Sequence, residues 1–186
     1  PFAMPAQAAP RTGGTVLAVG RLVAAKGFDV LLRAWAEVAR EAPDWQLRIV
    51  GEGEERARLE ALRETLGLAE RVALPGALAD VTPAYENASI FCLSSRYEGF
   101  GLVLIEAMAF GLPIVSTDCE TGPRELLEPD HDALVVPVDN AQALAQALLH
   151  LIHHRHDAIR LAEAARRKAQ RFSRDEIVAQ WRALLE

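Results

Sequence analysis

The sequence is short of cysteine, of lysine and of long apolar runs, and each shortage closes off a class of protein. Cys92 and Cys119 are the two cysteines in 186 residues, and both fall where strands or strand ends are expected. Cytosolic thiols with a packing role fit that pattern better than a disulfide framework. No spacing of cysteine and histidine matches a metal site. The run His153-His154-Arg155-His156 falls at an expected helix end, where such residues favour the negative pole of the helix dipole. The expectation is therefore no metal and no other cofactor. No apolar run reaches membrane-spanning length, and the first residues lack the basic-then-apolar order of a signal peptide. A formal net charge of −6 argues against nucleic acid as the main partner. Hydrophobic content of 51% and charged content of 25% are ordinary for a globular protein. No internal repeat or low-complexity segment stands out, and the expectation is a soluble cytosolic domain.

What is present is an alternation of short and long apolar patterns. Residues 1–12 place Pro1, Pro5 and Pro10 among alanines, the composition of a linker or ragged end; the folded domain is expected over 13–186. Short β-branched runs predict strands at 15–19, 46–50, 71–74, 90–93, 113–116 and 133–136. Helical patterns between them predict helices at 28–41, 54–66, 81–86, 102–110 and 124–127. Strands separated by helices of this size imply βαβ crossovers. The fold class is α/β: a Rossmann-like parallel sheet with helices on both faces. Three further helical patterns, 141–153, 157–170 and 174–185, follow without a strand and form a helical C-terminal extension. Ser173, with Glu176 three residues on, reads as a capping box for the last of them.

The most informative stretch begins Ser94-Ser95-Arg96-Tyr97-Glu98-Gly99-Phe100-Gly101-Leu102 and continues to Ala109. Glu106 is the only charge between Glu98 and Asp118, on a helix apolar right round and therefore expected to be buried. A buried carboxylate costs several kcal/mol unless something pairs or hydrogen-bonds with it. A ligand rich in hydroxyl groups would supply that partner, and a structural salt bridge to an arginine such as Arg124 is the alternative. Gly99 and Gly101 flank Phe100 at the helix start, where exposed N–H groups can face an anion or a sugar oxygen.

In an open parallel sheet, ligands bind outside the carboxyl ends of the strands, which brings three other turns into play. Gly20-Arg21-Leu22-Val23-Ala24-Ala25-Lys26-Gly27 sets two cations and two glycines before a helix, the makings of a diphosphate site. Lys26 is one of only two lysines, a point charge on a flexible stem that suits phosphate; surface charges on a loop are the bland alternative. Gly51-Glu52-Gly53-Glu54-Glu55-Arg56 superficially resembles a dinucleotide fingerprint. It follows the second strand, lacks the last glycine and puts acids where a pyrophosphate would sit, so it reads as a tight turn beside the pocket. Asp118-Cys119-Glu120-Thr121-Gly122-Pro123-Arg124-Glu125 follows the fifth strand, and Thr121 or Gly122 can cap the helix after it.

With these residues in hand, the chain resembles the C-terminal domain of a GT-B glycosyltransferase of family 4, the large retaining group. The Gly-Arg-Leu…Lys-Gly turn, Gly51-Glu52-Gly53, the Glu98-x7-Glu106 element and Gly111-Leu112-Pro113-Ile114-Val115 occur in the expected order. The resemblance implies that Arg21 and Lys26 bind the donor diphosphate and stabilise the leaving group. It implies that Glu106 holds the ribose and Glu98 the transferred sugar, while the amides of Gly99, Phe100 and Gly101, with Leu102 following, hold sugar and phosphate. Gly20, Gly51 and Gly76 would line the nucleotide site, with strand-end residues near Leu74 and Gly76 facing the base. Such enzymes are typically metal-independent. The form of the turn at Asp118 resembles enzymes that build bacterial surface polysaccharides and lipid-linked oligosaccharides from UDP-sugars.

The implied reaction moves a hexosyl group to a glycan or lipid-linked acceptor with retention. An N-terminal acceptor-binding domain would be the principal partner; 186 residues leave no room for it, so the isolated domain would bind donor without efficient transfer. Peripheral membrane contact through that absent domain, at the cytoplasmic face of the inner membrane, fits the same picture. A stand-alone sugar-nucleotide sensor and a sugar-nucleotide epimerase remain as alternatives, and an NAD dehydrogenase is disfavoured by the acidic Gly51 turn. The tail's apolar positions Ile177, Trp181 and Leu184 could meet the absent domain or a second chain.

Overall fold

The computed structural model describes residues 14–185; the expected linker at 1–12 and the Leu184 side chain lie outside what it describes. Six parallel strands form one sheet: β1 Thr15–Val19, β2 Gln46–Val50, β3 Val72–Gly76, β4 Ile90–Leu93, β5 Ile114–Thr117 and β6 Leu134–Val136, in the order β3-β2-β1-β4-β5-β6. The helices are α1 Phe28–Glu41, α2 Arg56–Thr65, α3 Thr82–Asn87, α4 Leu102–Ala109, α5 Pro123–Leu126, α6 Ala141–His153, α7 Arg155–Ala169 and α8 Arg174–Leu185. Expected and observed elements agree in kind and order. The largest shifts are at β3, which runs on to Gly76, and at α2 and α7, each displaced at its start by two residues.

Side-chain alternation along the strands builds two cores, as a parallel sheet covered on both faces requires. Val16 and Ala18 of β1 join Leu47, Ile49, Ile90 and Val115 on the face covered by α1 and α6, with Trp35 fully buried among them. Leu17 joins Phe91, Leu93 and Ile114 on the other face, covered by α3, α4 and the C-terminal part of α7. Burying a side chain of this size contributes roughly 1.5–3 kcal/mol, so the two cores fix the sheet between rigid layers.

Local signals set the helix starts. The Asn140 side chain accepts from Ala143 N at 2.9 Å to cap α6, and Pro83 and Pro123 occupy first turns of α3 and α5. Of the two bonds of the expected box at Ser173, the structure shows the one from Glu176 N to Ser173 Oγ, long at 3.4 Å, while Ser173 N donates to Gln170 O. His154 is the junction between α6 and α7, its ring stacked on His150 at 4.3 Å. Among the described residues, no cluster of three or more His, Cys, Asp or Glu side chains is arranged to hold a metal ion, and no helix is long and apolar enough to cross a membrane. Cys92 and Cys119 are free and buried. Burial pushes both thiols up from their ordinary pKa.

Candidate functional site

The strand order reverses between β1 and β4, the switch point beside which open parallel sheets bind their ligands. The loop after β1 carries Arg21 and Lys26; the loop after β4 carries Glu98 and leads to α4. They touch directly. Gly27 has φ +60°, and a Cβ there would lie 2.1 Å from Ser94 O, so only glycine lets the first loop close on the second. Lys26 Nζ lies 2.6 Å from Glu98 Oε1 across this junction. The Glu98 residue is only 5% exposed, and its Oε1 also accepts from Ser95 Oγ at 2.6 Å.

The end of β5 supports the same loop from beneath. Thr117 Oγ1 and Cys119 Sγ both donate to Ser95 O, at 2.6 and 2.9 Å. Thr121 Oγ1 donates to the Glu98 carbonyl, so Gly122 alone stands at the N-cap of α5. Phe100 packs edge-on to Phe172 at 6.4 Å, while Gly99 has open space around it. Gly101 is left-handed at φ +83° and opens α4.

Glu106 departs from the sequence expectation. Helix α4 is not buried all round: Leu102 is 66% exposed, and Val103 and Glu106 are half-buried. Leu102 stands at the rim because α4 begins at the sheet's open end, and an apolar composition alone does not separate rim from interior. The carboxylate's protein partner is Tyr85 of α3, whose hydroxyl donates to Glu106 Oε2 at 2.7 Å. Burial, with the Glu106 charge beside it, pushes the Tyr85 phenol well above its ordinary range, so it stays a neutral donor. Arg124 instead pairs with Asp118 at 2.7 Å.

Arg21 is exposed beside the β1 end. The Gly51 turn packs on the same loop: a Cβ on Gly51 would lie 1.8 Å from Gly20 O. Gly51 N also donates to Gly76 O at 3.0 Å, which aligns the ends of β1, β2 and β3. Of the acids in that turn, Glu52 is held by Arg56 at 2.6 Å. The structure thus brings Gly20, Lys26, Glu98, Gly99, Phe100, Gly101 and Gly51 to adjoining loops at the sheet's carboxyl edge, with Gly76 behind Gly51 and with Glu106 a turn deeper in α4. Ser95, Thr117 and Tyr85 are the supports that sequence reasoning missed, and Thr121, expected as a helix cap, holds the Glu98 carbonyl instead. Ser95 lay within the quoted stretch, but nothing in the spacing joined it to the others.

A six-stranded parallel sheet of this order matches the fold of the C-terminal domain of GT-B proteins. The chain belongs to the family of glycosyl transferases group 1, whose model matches residues 2–168. It is 37% identical over 171 residues to an uncharacterized glycosyltransferase of Haemophilus influenzae, spanning 92% of this chain and 48% of that one. It is 33% identical to the amylovoran biosynthesis glycosyltransferase AmsD of Erwinia amylovora, spanning 94% of this chain and 49% of the relative. The fold matches Anabaena HepE, solved in complex with UDP, with a TM-score of 0.86 and 27% identity over 93% of this chain and 48% of that one. The chain spans about half the length of these two curated relatives.

Proposed function

We propose that this chain is the donor-binding half of a retaining glycosyltransferase that takes a hexosyl group from a UDP-sugar. Residues 13–186 form the donor domain and 1–12 the connection to an acceptor-binding domain. The observation that carries the reading is the Lys26–Glu98 contact, 2.6 Å across the switch point. An ammonium, suited to phosphate, stands there beside a carboxylate, suited to sugar hydroxyls, at the carboxyl edge of the sheet, which supports the reading. Lys26 has three N–H donors; Glu98 takes one, and the others can meet phosphate oxygens without breaking the pair. Arg21, exposed at the mouth, adds a second positive charge.

Transfer breaks the bond from the sugar's anomeric carbon to the diphosphate oxygen and forms one to the acceptor hydroxyl oxygen, whose proton passes to the departing diphosphate. Negative charge grows on the departing diphosphate, and cations already oriented by the fold stabilise it without reorganisation. The amides of Gly99, Phe100 and Gly101 contribute in the same sense at the start of α4. Glu106 accepts from the ribose hydroxyls, oriented by Tyr85. HepE was solved with UDP, which supports a UDP-linked donor; AmsD, named for amylovoran biosynthesis, supports a glycan or lipid-linked acceptor for this chain. The enzyme would then work at the cytoplasmic face of the inner membrane, reached through its other domain.

Calorimetric titration with UDP, ADP, GDP and NAD, repeated on Glu106→Ala, tests this. The expected result is binding of UDP in preference to the others, weakened at least about tenfold by Glu106→Ala, a loss near 1.4 kcal/mol. Tight NAD binding indifferent to Glu106→Ala would overturn the reading.

A further inference from the structure

Arg96 makes more contacts than a loop arginine needs. Its Nη1 donates to Ala24 O at 2.6 Å and lies 2.9 Å from Asp29 Oδ1. Its Nη2 donates to Asp29 Oδ2 at 3.1 Å, and its Nε to Asp139 Oδ1 at 2.6 Å. The fork therefore joins three segments: the turn Ala24–Lys26, the first turn of α1 and the turn before α6. Asp29 is 8% exposed and is shared with Arg33 at 3.0 Å. Asp139 takes a left-handed φ of +58° that presents its carboxylate to the guanidinium. The backbone completes the grip. Arg96 N and Tyr97 N donate to Ala25 O at 2.8 and 3.4 Å, and Ser94 Oγ donates to Lys26 O at 2.9 Å. Every carbonyl of the short turn that carries Lys26 is thus held by the loop that carries Glu98.

We propose that Arg96, seated on Asp29 and Asp139, is a positioning residue that fixes Lys26 for the donor diphosphate. The proposal rests on the donor-site reading of Lys26. Arg96 does not itself reach Lys26 Nζ; it holds the turn beneath, so the ammonium meets phosphate without first ordering its own backbone. Two carboxylates offset its charge, so its effect is geometric and not a matter of added positive potential. A lysine in its place keeps the charge but cannot span three acceptors with one planar fork.

Two measurements on Arg96→Gln test it. The first reads Lys26 directly by 13Cε–15Nζ correlation. Lys26 and Lys168 are the only lysines, so Lys168, ion-paired elsewhere at 2.7 Å to Asp132, is an internal reference. The Lys26 signal should move towards that of a free ammonium while Lys168 stays put. The second compares UDP with uridine by titration: UDP affinity should fall about tenfold and uridine affinity by less than about twofold, with Arg96→Lys close to Arg96→Gln. An unmoved Lys26 signal overturns the proposal, as does full recovery of UDP affinity in Arg96→Lys or an equal loss for uridine. If the wild-type chain binds no UDP, the donor-site reading fails by itself, and the Lys26 signal still decides the clamp. Should Arg96→Gln fold poorly, Asp139→Asn removes only the exposed arm. It should shift the same signal and cost about threefold in UDP affinity.

Discussion

At the scale of single residues, the site is a set of carboxylates each given a different partner. Glu98 is enclosed and shared between Lys26 and Ser95; Glu106 stands half-buried against one phenol. Tyr85 stacks on Phe110 at 5.2 Å and Phe91 at 5.9 Å, so its ring cannot swing away and its hydroxyl holds the carboxylate in one orientation. That makes Tyr85→Phe an informative change. The ring stays and the donor goes, which should cost on the order of 1 kcal/mol in stability. The Glu106 carboxylate is then free to rotate, so, if it holds the ribose as proposed, UDP affinity should fall about threefold to tenfold. Unfolding and titration of the variant check both. Unchanged affinity would mean that Glu106 does not need Tyr85 to meet its ligand.

At the scale of elements, the loops after β1 and β4 behave as one piece because α1 and its preceding turn are tied to Arg96. Asp29 shows the electrostatic side of this. Burial raises its pKa, but hydrogen bonds from Arg96 and Arg33 outweigh it and hold the carboxyl at about 2. The folded state therefore favours the charged form. Its contribution is complete above the ordinary value of 3.8 and is lost as the pH falls towards 2. With allowance for solvent screening this is on the order of 1–2 kcal/mol. Asp29→Asn should lower stability at neutral pH and flatten acid unfolding across that window; a profile parallel to wild type would show that the network carries no net stabilisation. Such a network was not legible in the sequence. Strands and helices were, because period-two and helical apolar patterns report burial directly, and the glycines of the β1 and β4 loops report close approach. What spacing could not report is which loop residues meet across the sheet. Arg96 and Asp29 are 67 residues apart, and Tyr85 and Glu106 are 21 apart, on helices whose relation depends on the whole strand order. The all-round apolar pattern of α4 misled for a related reason: it could not show that the helix begins at the open edge of the sheet.

At the scale of the whole molecule, the helical tail is part of the sheet domain and not an appendage. Helix α7 packs on α4, with Ala165 and Ala169 in the second core, and it is pinned at its far end by one lysine. Lys168 Nζ lies 2.7 Å from Asp132 Oδ2 and 3.0 Å from Glu128 Oε1. Asp132 is 1% exposed, and its other oxygen accepts from Glu128 N at 2.7 Å. Just beyond the pin, Phe172 rests on Phe100 of the site loop, and α8 follows with Trp181 63% exposed. Lys168 thus anchors the segment through which the tail touches the loop that carries Glu98 and Phe100. Lys168→Met keeps the stem's apolar contacts but strands the Asp132 charge, which should cost about 3 kcal/mol. Adding Asp132→Asn should recover a large part, since the buried charge is then gone. If the tail steadies the site loop, the single variant should also weaken UDP binding a few-fold at temperatures where the chain is still folded, and the double variant should restore it. Recovery of stability without recovery of affinity would separate the two roles and leave Phe172, not the ion pair, as the link between tail and site.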